Sequence, residues 1–124
     1  SPELVFTQAM KETGWLGFGG DVSVDQFNFA GIGAVGGGAG GASFPDVRTG
    51  LRAQVQHLRA YADSSVTTAS LANTVVDPRF TYVRKGAAPV VEYLGIQENP
   101  QRTGWATARS YGNDLASMID RYFG

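Results

Sequence analysis

Between Gly31 and Gly41 the chain reads Gly-Ile-Gly-Ala-Val-Gly-Gly-Gly-Ala-Gly-Gly, with almost no side chain able to fill a core. Whatever core forms must come from the segments on either side. Glycine tolerates positive φ and close backbone approach, so the tract is expected to be either a surface loop or a loop lining a groove. It is not a phosphate cradle, because no Gly-Lys-Ser/Thr follows and no strand-to-helix context surrounds it.

The flanking segments have helical periodicity. Ser1-Pro2-Glu3 is a capping serine, a proline at the first helical position and an acid in the first turn. Leu4, Val5, Ala9 and Met10 then recur at helical spacing, with Gln8, Lys11 and Glu12 on the remaining surface and Gly14 as the C-terminal cap. The chain opens on this helix as an excised fragment would, and an upstream helix of the same domain is expected. Pro45-Asp46 introduces a longer helix in which Val47, Leu51, Val55, Leu58 and Ala62 predict one apolar face. Arg48, Arg52, Gln56 and Arg59 fall opposite, and His57 flanks the stripe. As the single histidine, with no acid near it in sequence, His57 is expected to be solvated rather than catalytic. Ser110 caps a last helix with a stripe of Leu115, Met118, Ile119 and Tyr122. Residues 1–124 therefore read as a single, mainly α domain with a glycine-rich insert.

Composition excludes several classes of function. A net charge of -1 without a basic run leaves nothing to neutralise phosphates, so no nucleic-acid partner is expected. Cysteine is absent, which removes disulfides and thiolate metal sites. No apolar run approaches the roughly 20 residues that span a bilayer, so no membrane insertion is expected. Asp21-Val-Ser-Val-Asp25 has a faint calcium-loop spacing, but Gln26 stands where such a loop needs glycine, and no metal is expected there. No cofactor is called for, and no coiled-coil repeat demands an oligomer, so a monomer is expected.

Glu12 is the candidate for chemistry. It lies in the last turn of the first helix, just before Trp15, Leu16 and Phe18. A carboxyl group held against large apolar side chains loses hydration, which disfavours its charged form. The helix dipole's negative end acts in the same direction. The outcome is either a general acid near neutral pH or a surface glutamate at a helix end.

Three segments, in order, resemble one family. Gln8-Ala-Met-Lys-Glu-Thr-Gly-Trp15 is similar to the helix-plus-acid motif of bacterial peptidoglycan-hydrolysing N-acetylglucosaminidases, the lysozyme-like autolysins related to the flagellar rod muramidase. Asn28-Phe-Ala-Gly-Ile32 resembles that family's Asn-Asn-Leu-Phe-Gly-Ile segment, with Phe27 in place of the first asparagine. Trp105-Ala-Thr-Ala-Arg-Ser-Tyr-Gly-Asn-Asp-Leu115 resembles its closing motif. The resemblance implies a small lysozyme-like helical fold that cleaves cell-wall glycan outside the cell, with Glu12 as general acid and Tyr111 as a groove tyrosine. It also implies a departure: the glycine tract replaces most of the family's β-lobe, and no glutamate occurs between Glu12 and Glu92.

A second carboxylate must then be Asp21 or Asp25, or the substrate's own acetamido oxygen must serve. Trp15, Phe18, Phe29, Trp105 and Tyr111 are the aromatics expected beside an open groove, with Asn28 and Gln26 donating to an N-acetyl carbonyl. Hydrolysis of β-1,4 bonds as an endo-β-N-acetylglucosaminidase is the expected activity on a peptidoglycan strand. Muramidase or lytic transglycosylase action on that polymer and non-catalytic wall binding are the alternatives.

Overall fold

A computed structural model describes residues 1–34 and 40–124; the centre of the glycine tract, 35–39, lies outside the described residues. Three α-helices carry the fold: α1 (Pro2–Thr13), α2 (Val47–Ala62) and α3 (Tyr111–Phe123). Long connections between them contain short 3-10 turns at Val24–Gln26, Thr68–Ser70, Phe80–Tyr82 and Val91–Leu94. No strand occurs among the described residues; the only sheet-like contact there is a parallel bridge between Gly95 and Ala106. No helix among them is long and apolar enough to cross a membrane.

The helix ends follow local chemistry. Ser1 Oγ accepts from the Leu4 N–H at 3.2 Å, and Gly14 closes α1 in the left-handed conformation at φ 57°. Asp46 Oδ1 accepts from Thr49 N at 2.7 Å at the start of α2. The start of α3 differs from expectation: Ser110 adopts φ 61° and its side chain caps nothing. Glu98, from the preceding loop, supplies the anion instead and accepts from Asn113 N at 2.7 Å. A carboxylate there also complements the helix dipole.

Two apolar clusters meet across Trp105. The larger joins Leu58 and Tyr61 of α2, Phe80, Val83 and Leu94 of the connections, and Tyr111 and Leu115 of α3. The smaller joins Ala30, Ile32, Phe44 and Ala53.

The buried face of α2 is not the predicted stripe. Val47 and Val55 are exposed, and only Leu58 of that stripe is buried. The buried positions are Gly50, Ala53, Gln54, Gln56, His57, Leu58, Ala60 and Tyr61. Loops wrap α2 on more than one side and satisfy its polar groups. Gln56 Nε2 donates to Thr74 O at 3.0 Å, and its Oε1 accepts from Val76 N at 2.8 Å. A glutamine whose amide is fully paired can be buried at little cost, so polarity alone misassigned its face. His57 is likewise buried, at 8% exposure, because Asp77, distant in sequence, meets its Nδ1 at 2.6 Å. The outward valines border an open apolar groove of about 720 Å³ between α1 and α2.

Candidate active site

The end of α1 carries Glu12 to the floor of a cleft. Thr13 Oγ1 donates to Ala9 O at 2.7 Å and accepts from Leu16 N at 2.9 Å, and Phe18 N donates to Thr13 O at 2.9 Å. These bonds fold the chain back over the helix end through a run of left-handed residues, Gly14, Trp15, Leu16 and Phe18. Such conformations cost non-glycine residues energy and concentrate at functional sites.

The opposite wall is the 28–32 loop, built around one asparagine. Asn28 Nδ2 donates to Ile32 O at 2.9 Å and Ala42 O at 3.0 Å, and its Oδ1 accepts from Ile32 N at 3.0 Å. The loop holds Gly31 at φ 68° directly against the acid. A Cβ there would lie 2.9 Å from Glu12 Oε2, so only glycine leaves the carboxyl group its place.

Behind Glu12 lies a buried polar chain that links all three helices. Gln54 Nε2 of α2 donates to Gln8 Oε1 at 3.0 Å, and Gln8 Nε2 of α1 donates to the Tyr111 hydroxyl at 3.0 Å. Tyr111 opens α3 and lies beside Glu12, which shares a face of α1 with Gln8. The phenol and carboxyl are within electrostatic reach, without a hydrogen bond of full geometry between them. Burial pushes the Glu12 carboxyl above its ordinary pKa; the Tyr111 hydroxyl and the charge of Lys11 pull it partly back. Burial and the neighbouring Glu12 push the Tyr111 phenol well up, which keeps it protonated. A half-buried acid with a raised pKa, open to a cleft, is suited to protonating a leaving oxygen.

From Glu12 the cleft runs in two directions. One arm passes Phe18, Asp21, Val22 and Asn28. The other passes Trp105 and Ala106–Ala108, then reaches a pocket containing His57, Tyr61, Arg79 and Tyr82. Gly31 and Ala34 border all three parts. Trp105 is fixed from both sides: its Nε1 donates to Ala30 O at 2.9 Å, and the His57 ring stands edge-on to it at 4.4 Å. Tyr61 donates to Gly104 O at 2.7 Å and has its pKa pushed up to about 12, mainly by burial.

Of the residues singled out in the sequence, Glu12, Phe18, Asp21, Asn28 and Trp105 line this cleft. The others stand elsewhere or do something else. Trp15 is 53% exposed and packs edge-on against Phe6 and Tyr122 on a different face. Phe29 supports Phe18 at 6.1 Å between ring centroids and borders the apolar groove instead. Asn28, although it lines the cleft, is 1% exposed and has both amide donor contacts committed to backbone, so it shapes the loop and does not donate to a sugar. Gln26 ties the loop similarly: Nε2 donates to Gly40 O and Ala42 O, and Oε1 accepts from Ser23 N. Asp25 accepts from Ser23 Oγ at 2.6 Å in an exposed turn and does not line the cleft. Tyr111, only 2% exposed, stands behind the acid and not in the groove.

Sequence reading missed Gln8, Gln54 and Gly31 as site residues. A signal existed for the glutamines: Gln8 falls four residues after Leu4, and Gln54 falls between Leu51 and Leu58 at spacings of three and four. A polar residue at core spacing points to a buried hydrogen-bond network.

The family model described as mannosyl-glycoprotein endo-beta-N-acetylglucosaminidase matches residues 1–123. An uncharacterized protein of Borreliella burgdorferi is 36% identical over 118 residues, covering 94% of this chain and 52% of the relative. The chain thus spans about half the length of the curated relative it matches. No solved structure matches significantly. With the acid-bearing helix, the Gly31 loop and the Tyr111 helix all inside the matched region, the chain belongs to the glucosaminidase family.

Proposed function

We propose that the protein hydrolyses β-1,4-glycosidic bonds of bacterial cell-wall peptidoglycan as an endo-β-N-acetylglucosaminidase, with Glu12 as general acid. The observation that carries this reading is the half-buried Glu12 carboxyl, raised in pKa, open to a cleft and backed by Tyr111. A cleft open along two arms suits a polymer lying through it. Glu12 gives its proton to the glycosidic oxygen as the C–O bond breaks, and positive charge develops at the sugar's anomeric carbon. Asp21, on the arm beside Phe18, is the carboxylate available to face that carbon or to activate water. Tyr111 acts through Glu12, as a positioning group that tunes its proton. The substrate assigns the protein to the bacterial cell wall, where it works as a monomer.

Clearing of purified sacculi tests the reading. Glu12→Gln should lower the rate by about 10²–10⁴-fold while sacculus binding persists. Wild-type binding without clearing would make this a wall-binding module. Asp21→Asn should slow clearing strongly and Asp25→Asn should not. If neither matters, the acetamido oxygen or the sugar's own 6-hydroxyl takes the second role. Mass analysis of released ends then identifies the bond: reducing GlcNAc for a glucosaminidase, reducing MurNAc for a muramidase, anhydro-MurNAc for a transglycosylase.

A further inference from the structure

The pocket beyond Trp105 has a chemistry that the Glu12 step leaves unused. It encloses about 210 Å³ and is continuous with the acid's cleft through Gly31, Ala34 and Trp105. Its cation is Arg79, whose guanidinium stacks on the Tyr82 ring at 4.5 Å. Among the described residues no carboxylate lies within ion-pair distance of that guanidinium, and no acid lines the pocket. Asp77, two residues before Arg79 in sequence, is committed twice over: Oδ2 pairs with His57 Nδ1, and Oδ1 accepts from the Arg79 backbone N–H at 2.9 Å. Asp77 thereby fixes the base of the arginine without neutralising its head group. His57 Nε2 is neither hydrogen-bonded within the described protein nor sealed from solvent.

We propose that this pocket binds a carboxylate carried on a sugar substituent of the glycan lying in the Glu12 cleft, with Arg79 as its charge partner. His57 Nε2 accepts from an N–H or hydroxyl of the same substituent. A planar guanidinium held against an aromatic ring is well suited to a carboxylate, which it can engage through two parallel hydrogen bonds. The inference rests on the peptidoglycan reading above and sharpens it. Peptidoglycan carries an acidic substituent on every second sugar, so a strand lying in the Glu12 cleft can bring one to the pocket that adjoins it. In that polymer the carboxylate has two sources, the bare lactyl ether and the stem peptide attached to it.

Binding can be measured apart from turnover by calorimetric titration in a Glu12→Gln background. Three tetrasaccharide probes separate the cases: an alternating GlcNAc–MurNAc glycan with stem peptides, the same glycan with bare lactyl groups, and chitotetraose, which has neither. Arg79→Gln should weaken at least one acidic probe by about tenfold and leave chitotetraose unchanged. Which acidic probe responds names the source of the carboxylate. Arg79→Lys should retain part of the preference, and raised salt should erode it. Circular dichroism checks that the exposed substitution leaves the fold intact. Equal affinity for all three probes, or an equal loss on all three with Arg79→Gln, overturns the proposal even if Glu12 proves to be the acid. Absence of binding to all three probes removes this proposal, and sacculus clearing by the wild type then decides whether the reading it rests on stands or falls with it.

Discussion

Gln8 Nε2 donates to the Tyr111 hydroxyl at 3.0 Å, joining side chains 103 residues apart inside the protein. Gln8 is 0% exposed, and its other amide atom receives Gln54 Nε2, so one side chain ties α1 to both other helices. Gln8→Leu strips the partner from a buried phenol oxygen and from one buried amide donor, which should cost about 1–3 kcal/mol in urea denaturation. Gln54→Leu should cost less, because Gln54 Oε1 is already without a partner among the described residues. Equal losses for the two variants would mean that the network carries no particular link to Tyr111.

The raised pKa of Glu12 has a sign for stability. The native state holds that proton more tightly than the unfolded chain does, so stability falls as pH climbs from the ordinary value of 4.5 through the raised one. Glu12→Gln removes this penalty. The variant should therefore gain melting temperature over wild type at pH 7, with the gain shrinking towards pH 4. A difference in Tm that stays constant with pH would show the native carboxyl to be ordinary.

Tyr111→Phe should reveal itself in the pH profile more than in the maximum rate. The phenol lowers the Glu12 pKa, so its removal lets burial raise that pKa further. A general acid works only while protonated, and the alkaline limb of kcat should move to higher pH. An unmoved limb would separate Tyr111 from the acid and leave it a packing residue.

Gly31→Ala combines two insults. A left-handed conformation costs a residue with Cβ about 1–2 kcal/mol, and the new methyl meets Glu12 Oε2 at 2.9 Å. Thermal unfolding should register the first effect, whereas sacculus clearing should fall further than the lost stability explains. A variant that keeps full clearing would mean that the carboxyl has room to relocate without harm.

Much of the local architecture was legible from the chain alone. Ser1-Pro2, Asp46 and Gly14 cap their helices through bonds between residues a few positions apart, and those bonds depend on little else. Glu12 was legible as a candidate because its position at a helix end beside apolar residues is also local. The reason for its burial was not. Trp15 and Leu16 turn to solvent, and Gly31 and Tyr111, 19 and 99 residues later, take their place against the acid.

Polar burial was likewise settled by distant partners. Gln8, Gln56 and His57 read as surface groups when only neighbours in sequence are counted. Tyr111, Thr74, Val76 and Asp77 complete their hydrogen bonds, and with those bonds made the interior admits them. Sequence determined where the helices begin and end and which carboxyl group could serve as an acid. Tertiary structure decided which faces are inside and which residues share the cleft, because desolvation and hydrogen-bond satisfaction are summed in space and not along the chain.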